Sequence, residues 1–357
     1  MSMRAGLLLT AVHDAATPPS QQVAEHRELV QSAEQLGFDL IVCGQHFLGT
    51  ELRYYQPVPY LTHMAAAAPS MRVATGIILL SMLNPVQVAE DVATLDVVTG
   101  GRVTFGAAVG YSPREFQAFG VERGDRVARF EEALALIKKL WSGEEVEHTG
   151  AHFRLEAAVR PSVLPAQRPR PPIWLGGQAA GSVRRAARLG DAWYAPPFPT
   201  HDALRHLQEL FAEERDRAGL PPAVEFPVRR ELLIADSKLE ARRGAAMRSR
   251  ARYQTYLQWG LAQGGDLDDS GGGFAQADDA ESEGRFLLGS PAEVAEGLAR
   301  LRDEVGMTHF VFKPQWPGLP HAEAMRQLER FGTEVLPLLS EQRGLAPAAG
   351  EIAGGTV

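Results

Sequence analysis

The sequence predicts an α/β fold, a TIM (β/α)8 barrel, on three observations. Short apolar runs alternate with amphipathic helical segments along most of the 357 residues, a pattern typical of strand–helix units around a parallel sheet. Eight such strands can be counted, which is the number that closes a barrel. The segment LLLTAVHDAATPPS, at the end of the first strand, lacks the glycine-rich fingerprint expected of an open dinucleotide-binding sheet.

The predicted strands are short and mostly apolar. They cover residues 4–10, 38–43, 72–80, 102–110, 172–177, 191–195, 229–236 and 309–313. Helices fit between them, for example VAEHRELVQSAEQLG, PVQVAEDVATLDVV with Pro85 in its first turn, and PAEVAEGLARLRDEVG with Ser290 as its N-cap. We therefore expect eight strands and eight helices.

Two segments depart from this alternation. Residues 142–171 predict a hairpin followed by proline-rich chain, and residues 263–285 are rich in Gly and Asp with almost nothing to bury, which predicts a mobile loop. We expect one barrel domain over residues 1–340 that carries both insertions, and a flexible tail over residues 341–357.

Composition and charge exclude several classes of function. A net charge of −8, from 36 basic and 44 acidic residues, disfavours a nucleic-acid partner, because phosphate backbones require clustered Lys and Arg. The single cysteine rules out an internal disulfide and suits a reducing compartment, so we expect the cytoplasm. No apolar stretch approaches the roughly eighteen residues that cross a bilayer. Neither an HExxH metal pair nor a GxSxG serine elbow occurs, and no metal is expected.

The strongest local signal for a ligand follows the fifth predicted strand. The segment PPIWLGGQAAGSVRRAARLGD places Gly176 and Gly177 before a helix that begins around Gly181 or Ser182. Glycines allow close backbone approach, and a helix N-terminus offers unpaired N–H groups, so a phosphate fits there. A tight turn with an ordinary helix cap explains the pattern as well. Arg129, at the start of RVARFEEALALIKKLW, favours either a bound phosphate or a surface ion pair.

Further candidates follow strands two, three and four, at the barrel end where active sites assemble. Gln45 and His46 come directly after strand two, and an imidazole titrates near neutral pH, which suits a general acid or base. A hydrogen-bonded structural histidine is the alternative. Gly76 at the end of strand three favours the approach of a planar ligand, and a bulge is the alternative explanation. Gly110 with Tyr111 after strand four also favours a planar ligand, and core packing is the alternative there.

The chain also contains, in this order, AEQLGFDLIVCGQHF, NPVQVAEDVATLDVVTGGRVTFGAAVG, REFQAFGV, RFEEALALIKKLW, PPIWLGG, AARLGDAW and FGTEVLPLL. As a set, these segments resemble the luciferase-like flavin-dependent oxidoreductases over about residues 3–340. The resemblance implies a TIM barrel with reduced FMN, or the deazaflavin F420, across the mouth formed by the carboxyl ends of the strands.

The resemblance also implies roles for individual residues. It assigns the phosphate to Ser182, to the Gly176–Gly177 turn and to Arg129, and Gln178 is a further expected cofactor-binding residue. It implies a non-proline cis peptide between Gly76 and Ile77 behind the flavin ring, with Gly110 and Tyr111 beside the ring. Segment 263–285 resembles the family's active-site lid, which would exclude water.

The chain departs from two subgroups of the family. Bacterial luciferase has a pair of histidines where this chain has Gln45 and His46, and the F420 enzymes have Asp-His-Phe against Gln45-His46-Phe47. Ala108 and Val109 stand where luciferase has a reactive cysteine and an arginine, so light emission is not expected.

We interpret the sequence as a two-component monooxygenase that uses FMNH2 from a separate flavin reductase, and O2, to oxygenate a small organic substrate. His46 is the expected general acid or base, and Gln45 orients it or binds the flavin edge. The alternatives are an F420-dependent oxidoreductase that transfers hydride and a noncatalytic flavin-binding subunit. A homodimer is expected. The substrate pocket is predicted to be mostly apolar and to include Leu9, His13, Leu48, Tyr54, Tyr55 and Trp316.

Overall fold

Short parallel strands alternate with helices in the computed structural model, which describes residues 3–9, 17–49, 52–258, 284–316 and 318–341. The strands are β1 (Arg4–Leu9), β2 (Leu40–Cys43), β3 (Arg72–Thr75), β4 (Ile78–Leu79), β5 (Val103–Ala108), β6 (Val146–Thr149), β7 (Arg154–Val159), β8 (Ile173–Gly176), β9 (Ala192–Tyr194), β10 (Pro227–Arg229), β11 (Glu231–Ile234), β12 (Phe286–Gly289) and β13 (His309–Phe312).

Eleven α-helices lie in the described part of the chain. They are α1 (Pro19–Gln35), α2 (Pro57–Ala65), α3 (Pro85–Val98), α4 (Pro113–Ala118), α5 (Arg126–Leu140), α6 (Ala180–Leu189), α7 (His201–Arg217), α8 (Lys238–Gln258), α9 (Pro291–Val305), α10 (His321–Arg330) and α11 (Leu336–Glu341). None of the described helices is both long enough and apolar enough to cross a membrane.

Eight strands form the predicted barrel, and every pair of neighbours is parallel. The order around the barrel is β10, β13, β1, β2, β3, β5, β8 and β9. A bridge between Ala195, just after β9, and Val228 in β10 closes the ring, with the Ala195 N–H donating to the Pro227 carbonyl at 3.0 Å. The TIM-barrel fold class predicted from the sequence is therefore confirmed.

The barrel interior is packed by large apolar side chains. In the pairing register, Leu8 lies beside Val42 and Val42 beside Ala74, so these residues share the inward face of three neighbouring strands. They form one buried cluster with Trp174 and Tyr194 from the opposite wall. A larger apolar layer lies between the sheet and the surrounding helices. Because side chains fill the described barrel interior, we expect a ligand site at an end of the barrel.

Most predicted elements lie where the sequence placed them. Helix α3 spans the predicted residues 85–98, with the Asn84 side chain accepting from the Val86 N–H at 2.9 Å. Ser290 caps α9 in a reciprocal capping box with Glu293. The predicted hairpin is the antiparallel pair β6–β7. The predicted mobile loop at 263–285 and the predicted tail at 341–357 lie almost entirely outside the described residues.

Two predicted strands are interrupted, and one strand was missed. The strand predicted at 72–80 divides into β3 and β4 around Gly76 and Ile77. The strand predicted at 229–236 begins at Pro227 and breaks at Arg230, after which β11 leaves the barrel ring and pairs with β12. The run FLLG in β12 is four residues long and follows a polar segment, so it gave too weak a periodic signal.

A partly buried ionic cluster lies at the amino-terminal end of the barrel. Arg72 donates to Glu225 at 2.9 Å, and the Trp174 indole N–H donates to the other Glu225 oxygen at 2.8 Å. His309 is 2% exposed, and its Nε2 lies 3.7 Å from Glu225 Oε1. Burial lowers the pKa of His309 to about 4, which outweighs the opposite effect of the neighbouring carboxylates. This end of the barrel therefore holds a neutral histidine and has a structural role.

Candidate functional site

A cavity of about 390 Å³ lies at the carboxyl ends of the barrel strands, within the range of about 300–1,000 Å³ typical of small-molecule sites. Its walls come from the carboxyl-terminal residues of β1, β9 and β10, from the segments after β2, β5, β8 and β9, from the segment around β4 and from the start of α5. Ten of the eleven predicted site residues line it: Gln45, His46, Gly76, Ile77, Gly110, Tyr111, Gly176, Gly177, Gln178 and Ser182. The remaining predicted residue, Arg129, is not among the lining residues.

Gln45 connects two wall segments through both ends of its amide. Its Oε1 accepts from the Leu79 N–H at 2.8 Å, and its Nε2 donates to Gln56 Oε1 at 2.8 Å. The residue is 8% exposed. Gln45 therefore fixes the loop after β2 against β4, a contact that the local sequence could not reveal because it joins positions 34 residues apart.

His46 lies in the cavity wall with a defined partner at each ring nitrogen. Its Nδ1 is 3.1 Å from Glu115 Oε1, and its Nε2 is 3.5 Å from the Tyr111 hydroxyl. The imidazole also lies edge-on to Tyr54 and Tyr111, with ring centroids 4.9 and 5.6 Å away. Sequence reasoning missed Glu115, although it lies in the REFQAFGV segment, where a glutamate in a first helical turn could have drawn attention.

The Gly76–Ile77 peptide bond is cis, as the resemblance implied. A Cβ on Gly76 would stand 2.2 Å from Val42 Cγ1, so packing against β2 inside the barrel already requires glycine at this position. The Gly76 N–H donates to the Cys43 carbonyl at 2.7 Å. Barrel packing therefore accounts for the glycine, and the approach of a flat ligand at Gly76 stays a prediction. Ile77 and Leu79 turn toward the cavity.

The turn after β8 leads directly into the N-terminus of α6. A Cβ on Gly177 would lie 2.5 Å from the Ser182 Cβ and Oγ, so glycine allows strand and helix to approach this closely. Helix α6 begins at Ala180, one to two residues before the predicted start, and Ser182 does not cap it. The Ser182 hydroxyl donates to the Ala179 carbonyl at 2.7 Å. The helix N-terminus still faces the cavity through Ala179, Gly181 and Ser182.

Arg129 lies on α5 but is directed away from the cavity. Its Nε donates to the Ser81 carbonyl at 3.0 Å, and its guanidinium lies 4.8 Å from the centroid of the Phe153 ring in the hairpin. The sequence favoured either a bound phosphate or a surface ion pair for Arg129, and these contacts with a carbonyl oxygen and an aromatic ring are neither. Glu131 and Glu132 pair instead with Arg185 and His148.

Three other arginines line the cavity on the side of β5 and β8, and sequence reasoning missed all of them. Arg126 is the first residue of α5 and donates to the Arg123 carbonyl at 2.8 Å, and Arg123 itself is the second lining arginine. Arg185 lies one turn into α6 and donates to Glu131 Oε1 at 2.8 Å. Among the described residues that line the cavity, none is acidic. This wall is therefore suited to an anionic group.

A fourth arginine, Arg229, lines the opposite side and belongs to a buried ionic chain. Its guanidinium is 3.1 Å from Glu231 Oε1, and the second Glu231 oxygen is 2.7 Å from Lys313 Nζ. Glu231 and Lys313 are each 1% exposed. The ammonium group of Lys313 also lies 4.7 Å from the centroid of the Trp316 ring.

Two nearby groups that could ionise are held neutral by burial. Burial raises the pKa of the Cys43 thiol to about 12, so a reactive thiolate is not available beside the cavity. Burial also raises the pKa of Tyr194 to about 12, against the opposite effect of Arg229, so this cavity-lining phenol stays protonated.

Two of the six residues predicted for the substrate pocket line the cavity. Leu9 and Tyr54 line the cavity. Leu48 is 55% exposed, Tyr55 stacks on Tyr60, and Trp316 packs in a separate buried cluster, so these three do not belong to its described wall. His13 lies outside the described residues.

Comparison with known proteins identifies relatives along almost the whole chain. A family model described as luciferase-like monooxygenase matches residues 3–309. An FMNH2-dependent dimethylsulfone monooxygenase of Pseudomonas putida is 25% identical over 343 residues, which cover 90% of this chain and 89% of that protein. An F420-dependent hydroxymycolic acid dehydrogenase of Mycobacterium tuberculosis is 32% identical over 221 residues, 59% of each chain.

Solved structures share the fold. A monooxygenase from Streptomyces bottropensis superposes with a TM-score of 0.83 at 24% identity, covering 94% of this chain and 99% of its own. The oxygenating constituent of 3,6-diketocamphane monooxygenase from Pseudomonas putida, a type II Baeyer–Villiger enzyme in complex with FMN, superposes with a TM-score of 0.78 at 21% identity. It covers 94% of this chain and 98% of its own.

Proposed function

Because the chain belongs to the luciferase-like monooxygenase family, we propose that it is a two-component monooxygenase that uses FMNH2 and O2 to oxygenate a small organic substrate. The proposal is supported chiefly by the cavity, which combines an apolar wall with a cationic wall and a polarised histidine. The family contains flavin-dependent monooxygenases and F420-dependent enzymes, and the choice between them is part of the proposal.

The residues present fit a flavin mononucleotide. Arg123, Arg126, Arg185 and the N-terminus of α6 supply donors for a dianionic phosphate on one side of the cavity. Leu8, Leu9, Ile77, Leu79, Ala108 and Val109 offer apolar surface for a tricyclic ring. Gln178 and Tyr111 also line the cavity and contact the ring system in this proposal.

Bound reduced flavin would supply the electrons that activate O2. The chain's own contribution is to hold the ring on the apolar wall, to exclude water, and to move one proton. His46 acts as the general acid or base through Nε2, because Glu115 occupies Nδ1. Gln45 holds the loop that carries His46 and does not itself reach the reaction, since both ends of its amide are engaged.

A competition between cofactors tests the proposal. The purified protein is titrated under anaerobic conditions with reduced FMN and with reduced F420, and binding is followed by fluorescence. We expect micromolar affinity for reduced FMN and substrate-dependent O2 consumption in the presence of a flavin reductase and NADH. Micromolar binding of F420 with no binding of FMN would replace the proposal with F420-dependent hydride transfer.

Hydride transfer is the second candidate because a relative 32% identical over part of the chain is F420-dependent. In that case His46 would assist hydride transfer, and O2 would not be consumed. A protein that binds FMN but consumes no O2 with any of a panel of sulfones, sulfonates and cyclic ketones would instead be the noncatalytic flavin-binding subunit considered from the sequence.

The proposed activity requires a separate flavin reductase as a partner. We also propose a homodimer, which a light-scattering measurement of molar mass would test, and the cytoplasm as the compartment, on the basis of the single cysteine. The proposed substrate is a small compound with an apolar body, because the wall near Leu8, Leu9 and Tyr54 is largely apolar.

A further inference from the structure

Glu115 is a buried carboxylate directly behind His46. It is 2% exposed, in the first turn of α4. Its Oε1 accepts two hydrogen bonds, from the Phe47 N–H at 2.7 Å and from His46 Nδ1 at 3.1 Å. Its Oε2 is buried with no hydrogen-bond partner among the described residues. Burying a carboxylate is costly, so a glutamate in this place must be stabilised by the groups around it.

The two donors at Oε1 determine the hydrogen-bonding state of the imidazole. Because Oε1 accepts from a backbone N–H, it is held in place as an acceptor and has no proton to donate to His46. The hydrogen atom of the bond at 3.1 Å therefore belongs to Nδ1 of the ring. In the neutral imidazole Nε2 then carries the lone pair, and in the imidazolium it carries the transferable proton.

The same contacts fix the orientation of the ring. Tyr54 and Tyr111 approach the imidazole edge-on from two directions, and the Tyr111 hydroxyl lies 3.5 Å from Nε2. The backbone carbonyl of His46 accepts from Gln56 Nε2 at 3.3 Å. Because the Phe47 N–H and His46 Nδ1 both donate to Glu115 Oε1, a substitution of Glu115 affects both the backbone at Phe47 and the side chain of His46.

We propose that Glu115 is the positioning residue of the site, which holds His46 as its Nδ1–H tautomer and presents Nε2 to the cavity. This inference rests on the proposed function for its catalytic meaning, but the tautomer is a property of the protein without cofactor or substrate. Glu115 itself touches neither, and acts through His46.

The chain contains a matched Glu–His pair away from the cavity. Glu132 Oε1 is 3.0 Å from His148 Nε2, and this carboxylate accepts from the backbone N–H groups of Phe153 and His152 at 2.9 and 3.0 Å. None of these residues lines the cavity. Glu132→Gln therefore reproduces the chemical change of Glu115→Gln without altering the surroundings of His46.

The test is 15N and 1H NMR of the full-length protein labelled at its ten histidines, with His46 assigned by the loss of its signals in His46→Gln. In the wild type we expect a protonated Nδ1 and an unprotonated Nε2 for the neutral ring. In Glu115→Leu the ratio of Nδ1–H to Nε2–H tautomers should fall at least about tenfold, the factor that loss of one charged hydrogen bond gives.

Glu115→Gln provides a second test if the leucine variant does not fold. Its amide oxygen keeps the position of the acceptor but loses the charge, so the His46 Nδ1–H resonance should move upfield because the hydrogen bond weakens. Glu132→Gln should leave the His46 signals in place. The proposal is overturned if the wild-type ring is the Nε2–H tautomer, or if the His46 signals respond equally to both glutamine variants.

Failure of the proposed function would have a different signature. If His46→Gln retained full turnover while Glu115 still controlled the tautomer, the catalytic role of His46 would be lost and the positioning role of Glu115 would stand. If the tautomer were independent of Glu115 while His46→Gln lost turnover, the positioning proposal alone would fail.

Discussion

His46 illustrates how much a single residue depends on contacts distant in sequence. Its ring nitrogens have partners at positions 111 and 115, and the ring itself touches Tyr54. The sequence indicated a candidate acid or base because a histidine followed a core strand. It could not indicate which nitrogen would be available, because that depends on a glutamate 69 residues away.

The first prediction concerns the catalytic role of His46. His46→Gln should lower kcat by about 10²–10⁴-fold, the usual contribution of general acid–base catalysis, and leave the affinity for reduced FMN within about threefold. Turnover is measured as O2 consumption with a flavin reductase and an oxidisable substrate. His148→Gln, outside the cavity, is the control, and equal rates for the two variants would contradict the assignment.

Gln45 has a structural task that can be separated from catalysis. Gln45→Leu leaves the buried N–H of Leu79 without its acceptor, which should reduce the free energy of unfolding by about 1–3 kcal/mol. Urea denaturation measures this change. A variant with full stability and a large loss of kcat would show instead that Gln45 acts in the chemistry, as the sequence allowed.

At the scale of elements, α5 and α6 decide which arginines reach the cavity. Arg126 and Arg129 differ by three positions on α5, yet Arg126 lines the cavity and Arg129 lies over Phe153 in the hairpin. The helical period alone does not separate them, because residues three apart share a face. The β6–β7 hairpin separates the two arginines, because the Phe153 ring packs against the Arg129 guanidinium.

This difference predicts the outcome of two substitutions on one helix. Arg126→Met should weaken binding of FMN by about 10- to 100-fold, as expected for a lost charged hydrogen bond to phosphate. Arg129→Met should change FMN affinity by less than about threefold and lower stability instead. Fluorescence titration with FMN and with riboflavin, which lacks the phosphate, measures the affinity of both variants. A larger loss of FMN affinity in Arg129→Met than in Arg126→Met would reverse the assignment.

The strands β11 and β13 are joined by the buried pair of Glu231 and Lys313. Lys313→Met removes one cation from a carboxylate that is 1% exposed, and should cost about 3–5 kcal/mol of stability. Adding Glu231→Gln should restore part of this loss, because Arg229 alone would otherwise be left to compensate the buried carboxylate. Chemical denaturation of the single and double variants tests the coupling, and additive losses would argue against it.

At the scale of the whole molecule, the two ends of the barrel have separate tasks. The carboxyl end carries the cavity, and the amino end carries the ionic cluster of Arg72, Glu225 and His309. Both follow from the parallel arrangement of the strands, because equivalent ends of all eight strands meet on the same side.

The ionic cluster at the amino end predicts how stability depends on pH. The pKa of His309 is lowered to about 4 from about 6.5, so the unfolded chain binds a proton that the folded protein does not between these values. The contribution of His309 to the free energy of unfolding is fully present above pH about 6.5. It decreases by about 3 kcal/mol as the pH falls toward about 4.

The measurement compares wild type with His309→Gln by urea denaturation between pH 7 and 4. Arg4, Asp39, Arg72 and Glu225 face His309 and are common to both proteins. The wild type should lose more stability over this range than the variant. Parallel curves for the two proteins would show that His309 does not contribute.

The barrel and the end of it that carries the cavity could be predicted from the order of the segments along the chain. Alternating strands and helices require a parallel sheet, and residues directly after a strand must lie at its carboxyl end, so Gln45, His46, Gly110, Gly176 and Gly177 were found from position alone. The break at Arg230 and the pairing of β11 with β12 were not predictable, because they depend on partners distant in the chain.

Which side chains lie in contact with each other depends on how the elements pack. The contact of Glu115 with His46, the place of Arg126 in the cavity wall and the packing of Gly76 against Val42 all result from contacts between different elements. Local patterns report the direction and burial of a segment. They do not report distances between segments, and hydrogen bonds and phosphate contacts depend on those distances to within a few tenths of an ångström.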